Sequence, residues 1–208
     1  MKKLLILLFS LFFLSSPSVF ADDISDFEIE GIGIGDSLLD YMTEDEILAE
    51  IERTKDYYLY LNKPNKYAHV LLVNNFQTYT GLTFLIKNNS TNQYVSNSNE
   101  KFTILLVRGM INYIEDFEGC IAKRDEIVEV LSEMFPNADK WEEVFKSDLD
   151  PSGDSIVDGV YFDFDSGADI DAYCTNFDET FRSKKNWNEG LSVSISSSET
   201  TSWMRDYK

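Results

Sequence analysis

Between Ile156 and Cys174 apolar and polar residues alternate, with one interruption at Ser166-Gly167. Side chains two apart share one face of a strand. Ile156, Val160, Phe162 and Phe164 therefore fall on one side of a first arm, and Ala168, Ile170, Ala172 and Cys174 on one side of a second. The pattern predicts a β-hairpin with its even-numbered positions turned toward a core. "GLSVSIS", residues 190–196, alternates Leu191, Val193 and Ile195 with serines and predicts another strand. Three further runs, 67–73, 78–87 and 101–114, are rich in β-branched and aromatic residues and also read as strands.

Elsewhere the period changes. Ile127, Val130, Leu131 and Met134 recur at helical spacing, which predicts an amphipathic helix over 120–134 with these residues against the sheet, ended by Pro136. Thr43 and Glu46 form a capping-box pattern ahead of a helix at 44–54 that buries Ile47, Leu48 and Ile51. "DKWEEVFK", 139–146, reads as one more short helical segment, and Ser196 with Glu199 as the cap of a C-terminal helix bearing Trp203. The glycine-rich stretch 24–36 reads as an extended lead-in. Together these elements predict an α+β domain: an antiparallel β-sheet, one main amphipathic helix packed on it, short N- and C-terminal helices, and one disulfide.

The first 21 residues follow different rules. Lys2 and Lys3 precede an apolar run over 4–14, and Val19-Phe20-Ala21 supplies a cleavage pattern. This is a signal peptide, too short to span a bilayer. Cleavage after Ala21 leaves one exported domain, 22–208, in the periplasm or secreted. Export makes a disulfide between the two cysteines, Cys120 and Cys174, the expected state.

The chain carries 37 acidic and 18 basic residues, a formal charge of −19. Such a balance repels nucleic acid and anionic membrane surfaces. No second long apolar run follows the leader, so no membrane insertion is expected after cleavage. Divalent cations, basic proteins and neutral ligands remain as partners.

The odd positions of the hairpin carry the candidate chemistry. Asp163, Asp165, Asp169 and Asp171 are expected on its outer face, where facing carboxylates repel. A cation such as Ca²⁺, a Lys or Arg from elsewhere, or solvation would offset that. Upstream, "DLDPSGDSIVDG" begins at Asp148 like a calcium loop, but its twelfth residue is Gly159 where a bidentate Glu is needed, and a strand pattern follows where an EF-hand needs a helix. It reads as the turn into the hairpin. Catalytic signatures are absent: the single histidine, His69, shares a strand face with Leu71 and Val73 and reads as a core or groove residue. No catalytic residue is assigned. The tyrosines around "YYLYL" (57–61) and Tyr67 read as packing rather than a ligand platform.

The pieces "FEIEGIGIGDSLLDYM", "IVEVLSEMF", "VYFDFDSGADIDAYC" and "WNEGLSVSIS" resemble, in this order, a group of small exported proteins of marine bacteria with no established function. The resemblance implies a shared exported fold and brings no catalytic or ligand residues. The leading expectation is a non-enzymatic domain that binds a ligand or an envelope partner. A cation-binding domain using the hairpin aspartates and a hydrolase of envelope or environmental polymer are the alternatives.

Overall fold

The apolar runs and the alternating segments become neighbours in one seven-stranded antiparallel sheet. A computed structural model describes residues 24, 27–56, 61, 66–73, 76–88 and 100–206. The signal peptide expected over 1–21, the tyrosines before Leu61 and most of the 88–100 loop lie outside the described residues. A two-stranded hairpin, β1 (Glu28–Ile29) and β2 (Ile32–Gly33), precedes helix α1 (Glu44–Thr54). Then come β3 (Tyr67–Leu72), β4 (Gly81–Lys87), β5 (Ile104–Asn112), helix α2 (Phe117–Met134), β6 (Asp139–Lys146), β7 (Ile156–Asp163), β8 (Asp169–Asn176), α3 (Glu179–Lys185), β9 (Gly190–Ser196) and α4 (Ser198–Asp206). The spatial order is β3-β4-β5-β9-β8-β7-β6. The predicted α+β class, the main helix and the terminal helices are all present, and Cys120 is bonded to Cys174.

Which faces are covered explains the two sequence patterns. The inner face meets α1 and α2 over Val70, Phe84, Ile86, Val107, Phe162, Ile170 and Ile195, all essentially inaccessible. At the β3–β5 end the outer face is covered too. There α4 lies over a second cluster of Leu61, Tyr67, Leu85, Leu105 and Leu106, with Trp203 against the Tyr67 ring at 4.6 Å. Strands β3–β5, packed against apolar groups on both sides, read as continuous apolar runs, whereas β7 and β8 alternate, and β9 alternates with Ser194 and Ser196 buried on its outer side.

The hairpin follows its pattern closely. β7 and β8 pair from Ile156↔Asn176 to Asp163↔Asp169, and the turn closes through Phe164 and Gly167, whose φ of +82° suits glycine. Val160, Phe162, Ile170, Ala172 and Cys174 are buried, while Ile156, at the open end, is exposed.

Several expectations are corrected. Residues 139–146 are a strand, not a helix. Trp141 and Phe145, four apart, suit either period, and the open edge of β7 offers the ladder hydrogen bonds that decide between them. On α2 the buried positions are Cys120, Arg124, Val128 and Leu131, while Val130 and Met134 are exposed. The disulfide fixes the rotation of that helix and brings the 120/124/128/131 stripe onto β8 and β9. On α1, Ile47 is buried but Leu48 is exposed. The cap of α4 is Ser197, whose Oγ accepts from Thr200 N, rather than Ser196, which remains in β9. Helix α3, capped by Asp178 at its start, had no distinct apolar stripe to announce it.

Candidate functional site

On the outer face beside α4 the register builds a polar row. Arg108 on β5 faces Ser194 on β9, which faces Asp171 on β8, which faces Tyr161 on β7, which faces Trp141 on β6. The neighbouring row contains Asp169 and Asp163, directly opposite each other. Alternation therefore places Asp163, Asp169 and Asp171 on the outer face. Asp165 sits in the turn, beyond the end of the ladder.

Three of these aspartates accept hydrogen bonds from neighbouring side chains. Asp163 accepts the indole N–H of Trp141 at 2.9 Å. Asp169 accepts from Thr201 of α4 at 2.8 Å, and Asp171 from Ser194 at 3.4 Å. Burial pushes the Asp171 carboxyl up to about 7, with nearby Asp169 adding to the shift and Arg108 opposing it. Burial also raises Asp169. Among the described residues no group of three or more His, Cys, Asp or Glu side chains is gathered to hold a metal ion.

His69 is buried in β3, and burial followed by the charge of Arg108 lowers it to about 4, so it is a neutral imidazole near pH 7. The 148–159 stretch is the connection between β6 and β7. Its Asp150 carboxylate accepts from Ser155 Oγ (2.7 Å), Ser155 N (3.1 Å), Ser152 Oγ (2.7 Å) and Ser152 N (3.0 Å). These bonds, led by that of Ser155, hold it down to about 2. The oxygens that resemble a calcium loop organise the turn itself.

Beside the polar row, toward the other end of the strands, lies a cleft of 410 Å³. Its floor is Met110, Val157, Tyr161, Tyr173 and Ser192, and Phe145 and Leu149 form one wall. Tyr161 owes its position to two neighbours. Its ring stacks on Trp141 with centroids 4.2 Å apart, and its hydroxyl end lies over Gly159, where a Cβ would come within 2.3 Å. Burial, then the charge of Asp171, pushes the Tyr161 hydroxyl up to about 12, so it stays a neutral donor. The Arg108 guanidinium lies 5.8 Å from the centre of the Tyr173 ring, which lines the cleft.

Among the described lining residues the one buried acid is Glu189. It accepts from Glu115 N at 2.8 Å and Phe177 N at 3.0 Å and lies 3.7 Å from Arg182 Nε, so its oxygens join β9, α3 and the turn before α2. Asp148 stands at the exposed rim. Among the described lining residues there is no histidine or cysteine. Sequence reasoning did not find this site, because it draws on five strands and three connections. The signal available was the tyrosines at odd positions 161 and 173, among the aspartates.

Compared with protein-family models, curated proteins and solved structures, the chain matches none.

Proposed function

We propose that this is a non-enzymatic binding module acting outside the cytoplasm, and that its outer-face cleft receives an apolar or aromatic group of a neutral or cationic ligand. The observation that carries this reading is the cleft itself: aromatic and aliphatic walls around a rim that includes Asp148. Pockets of this size and lining are the usual place for small ligands. The chain's formal charge of −19 disfavours anionic ligands. The leader-like N-terminus and the cystine support a location in an oxidising compartment. The binding reading is preferred to hydrolysis because Glu189 is held by backbone N–H groups and His69 is not among the lining residues.

Titration with N-phenyl-1-naphthylamine, a neutral apolar fluorophore, tests the reading. One saturable site is expected, lost in Val157→Arg, which places a charge in the floor. Absence of saturable binding, or equal binding by a folded Val157→Arg variant, would overturn it.

A further inference from the structure

The two edges of the large sheet are finished differently. On β3 the outward backbone groups are met by α1: Thr54 Oγ1 donates to the His69 carbonyl at 2.7 Å, and Leu71 N–H donates to Glu50 at 3.3 Å. On β6 no such cover is found among the described residues. Ser147 N donates to Ser155 O at 2.9 Å, extending the β6–β7 ladder. Antiparallel alternation then points the N–H and C=O groups of Lys140, Glu142, Val144 and Lys146 away from β7. No hydrogen bond to these outward groups is found among the described residues.

β6 is also long and regular. Its eight residues pair with β7 in unbroken register, it has no proline, and every residue is exposed. Trp141 is 41%, Val144 65% and Phe145 39% accessible. An edge of this kind is a template for another strand.

The charges decide which strand fits. Asp139–Lys146 carries three acidic and two basic residues, close to balance in a chain of charge −19. We propose that β6 pairs antiparallel with β6 of a second copy, about a two-fold axis at Val144, joining two sheets into one. In that register Val144 meets Val144, and each Glu142 meets Lys146 of its partner. Phe145 meets Glu143. Other centres keeping both outer faces on one side bring like charges together: Glu142 meets itself when the axis passes through Glu142. Centring on Glu143 opposes Lys140 to Lys146, and centring on Trp141 opposes Asp139 to Glu143. The Val144 register avoids such pairs, and opposite charges across a ladder stabilise it. The arrangement also sets Phe145, a wall of each cleft, beside the dyad.

Light scattering after gel filtration, from micromolar to submillimolar protein, tests the pairing. A dimer is expected for the wild-type mature chain. Val144→Pro should be monomeric with a native circular dichroism spectrum, because proline is tolerated where an edge N–H faces outward. Val144→Lys serves the same purpose should the proline variant fail to fold. Glu142→Lys should weaken the dimer by about tenfold, and adding Lys146→Glu should restore it. A wild-type monomer throughout, a folded Val144→Lys dimer, or failure of the double exchange to restore association would overturn the proposal.

Discussion

The Arg124 guanidinium on α2 reaches across to β7 and is bonded to both the Asp158 carboxylate and, at 3.1 Å, the Asp158 carbonyl. One helical turn earlier, Cys120 is joined to Cys174, the residue that faces Asp158 across β7 and β8. A covalent bond and an ion pair thus anchor the same stripe of α2 at adjacent points. Asp125 also accepts from Arg124, at 2.8 Å, so removing the arginine leaves one partly shielded and one exposed carboxylate behind.

Truncation at this point should be expensive. Arg124 is 7% exposed while its two carboxylate partners reach solvent, so its loss removes buried stem packing and charge-assisted hydrogen bonds. We expect Arg124→Ala to destabilise the fold by about 2 kcal/mol. Replacing Arg124 and Asp158 together with apolar residues of similar size should cost less than the single change. Urea unfolding of the three chains measures both numbers.

The disulfide joins residues 54 apart in the chain. Closing a loop of that length restricts the unfolded chain by about 4 kcal/mol in the chain-entropy description. Cys120→Ser with Cys174→Ser should lower the urea midpoint accordingly, and reductant should lower it for the wild type but leave the double variant unmoved.

Asp171 predicts a slope of stability with pH. Its carboxyl is raised to about 7 in the folded state by burial, above 3.8 when unfolded. The folded chain then binds more protons than the unfolded chain between these values, so this group's contribution to stability falls as pH rises from about 4 to about 7 and is level above that. Asp171→Asn should therefore raise stability at pH 8 by an amount on the order of 2 kcal/mol, allowing for partial exposure, and by little at pH 4. His69 acts at the acid side with the opposite slope: lowered to about 4 by burial and by Arg108, it withdraws stability as pH falls below its ordinary 6.5. Thermal melts of wild type and Asp171→Asn across pH 4–8 separate the two.

Gly159 shapes the cleft through its missing side chain. A Cβ there would meet the Tyr161 hydroxyl at 2.3 Å, and the ring can swing aside. Gly159→Ala should leave the fold intact, at a cost near 1 kcal/mol, while displacing Tyr161 from its stack on Trp141. The checks are a several-fold change in fluorophore affinity and a loss of near-ultraviolet dichroism. An unchanged affinity would place the ligand away from Tyr161.

The elements legible in the sequence are those whose surroundings are uniform along their length. β7, β8 and β9 have one face on the core, so alternation alone assigns Phe162, Ile170 and Val193 inward and Asp163 and Asp171 outward. The cystine partners, the α+β class and the two-sided burial of β3–β5 are likewise written in cysteine count and apolar runs. β6 could not be read this way. It is exposed on both faces, so no burial pattern marks its period, and its structure comes from pairing with a strand ten residues further on. The stripe of α2 was displaced because Val130 and Met134 suit a helical face, while Cys174, 54 residues from Cys120, selects which face is used. The candidate site was the least legible. Outward placement of Asp171 follows from local periodicity, but its raised carboxyl, the approach of Arg108 and the cleft beside Tyr173 arise where β5, β9 and α4 meet β8. Periodicity is a property of neighbours in the chain; burial, charge pairing and concavity belong to neighbours in space, and here only the order of strands brings them together.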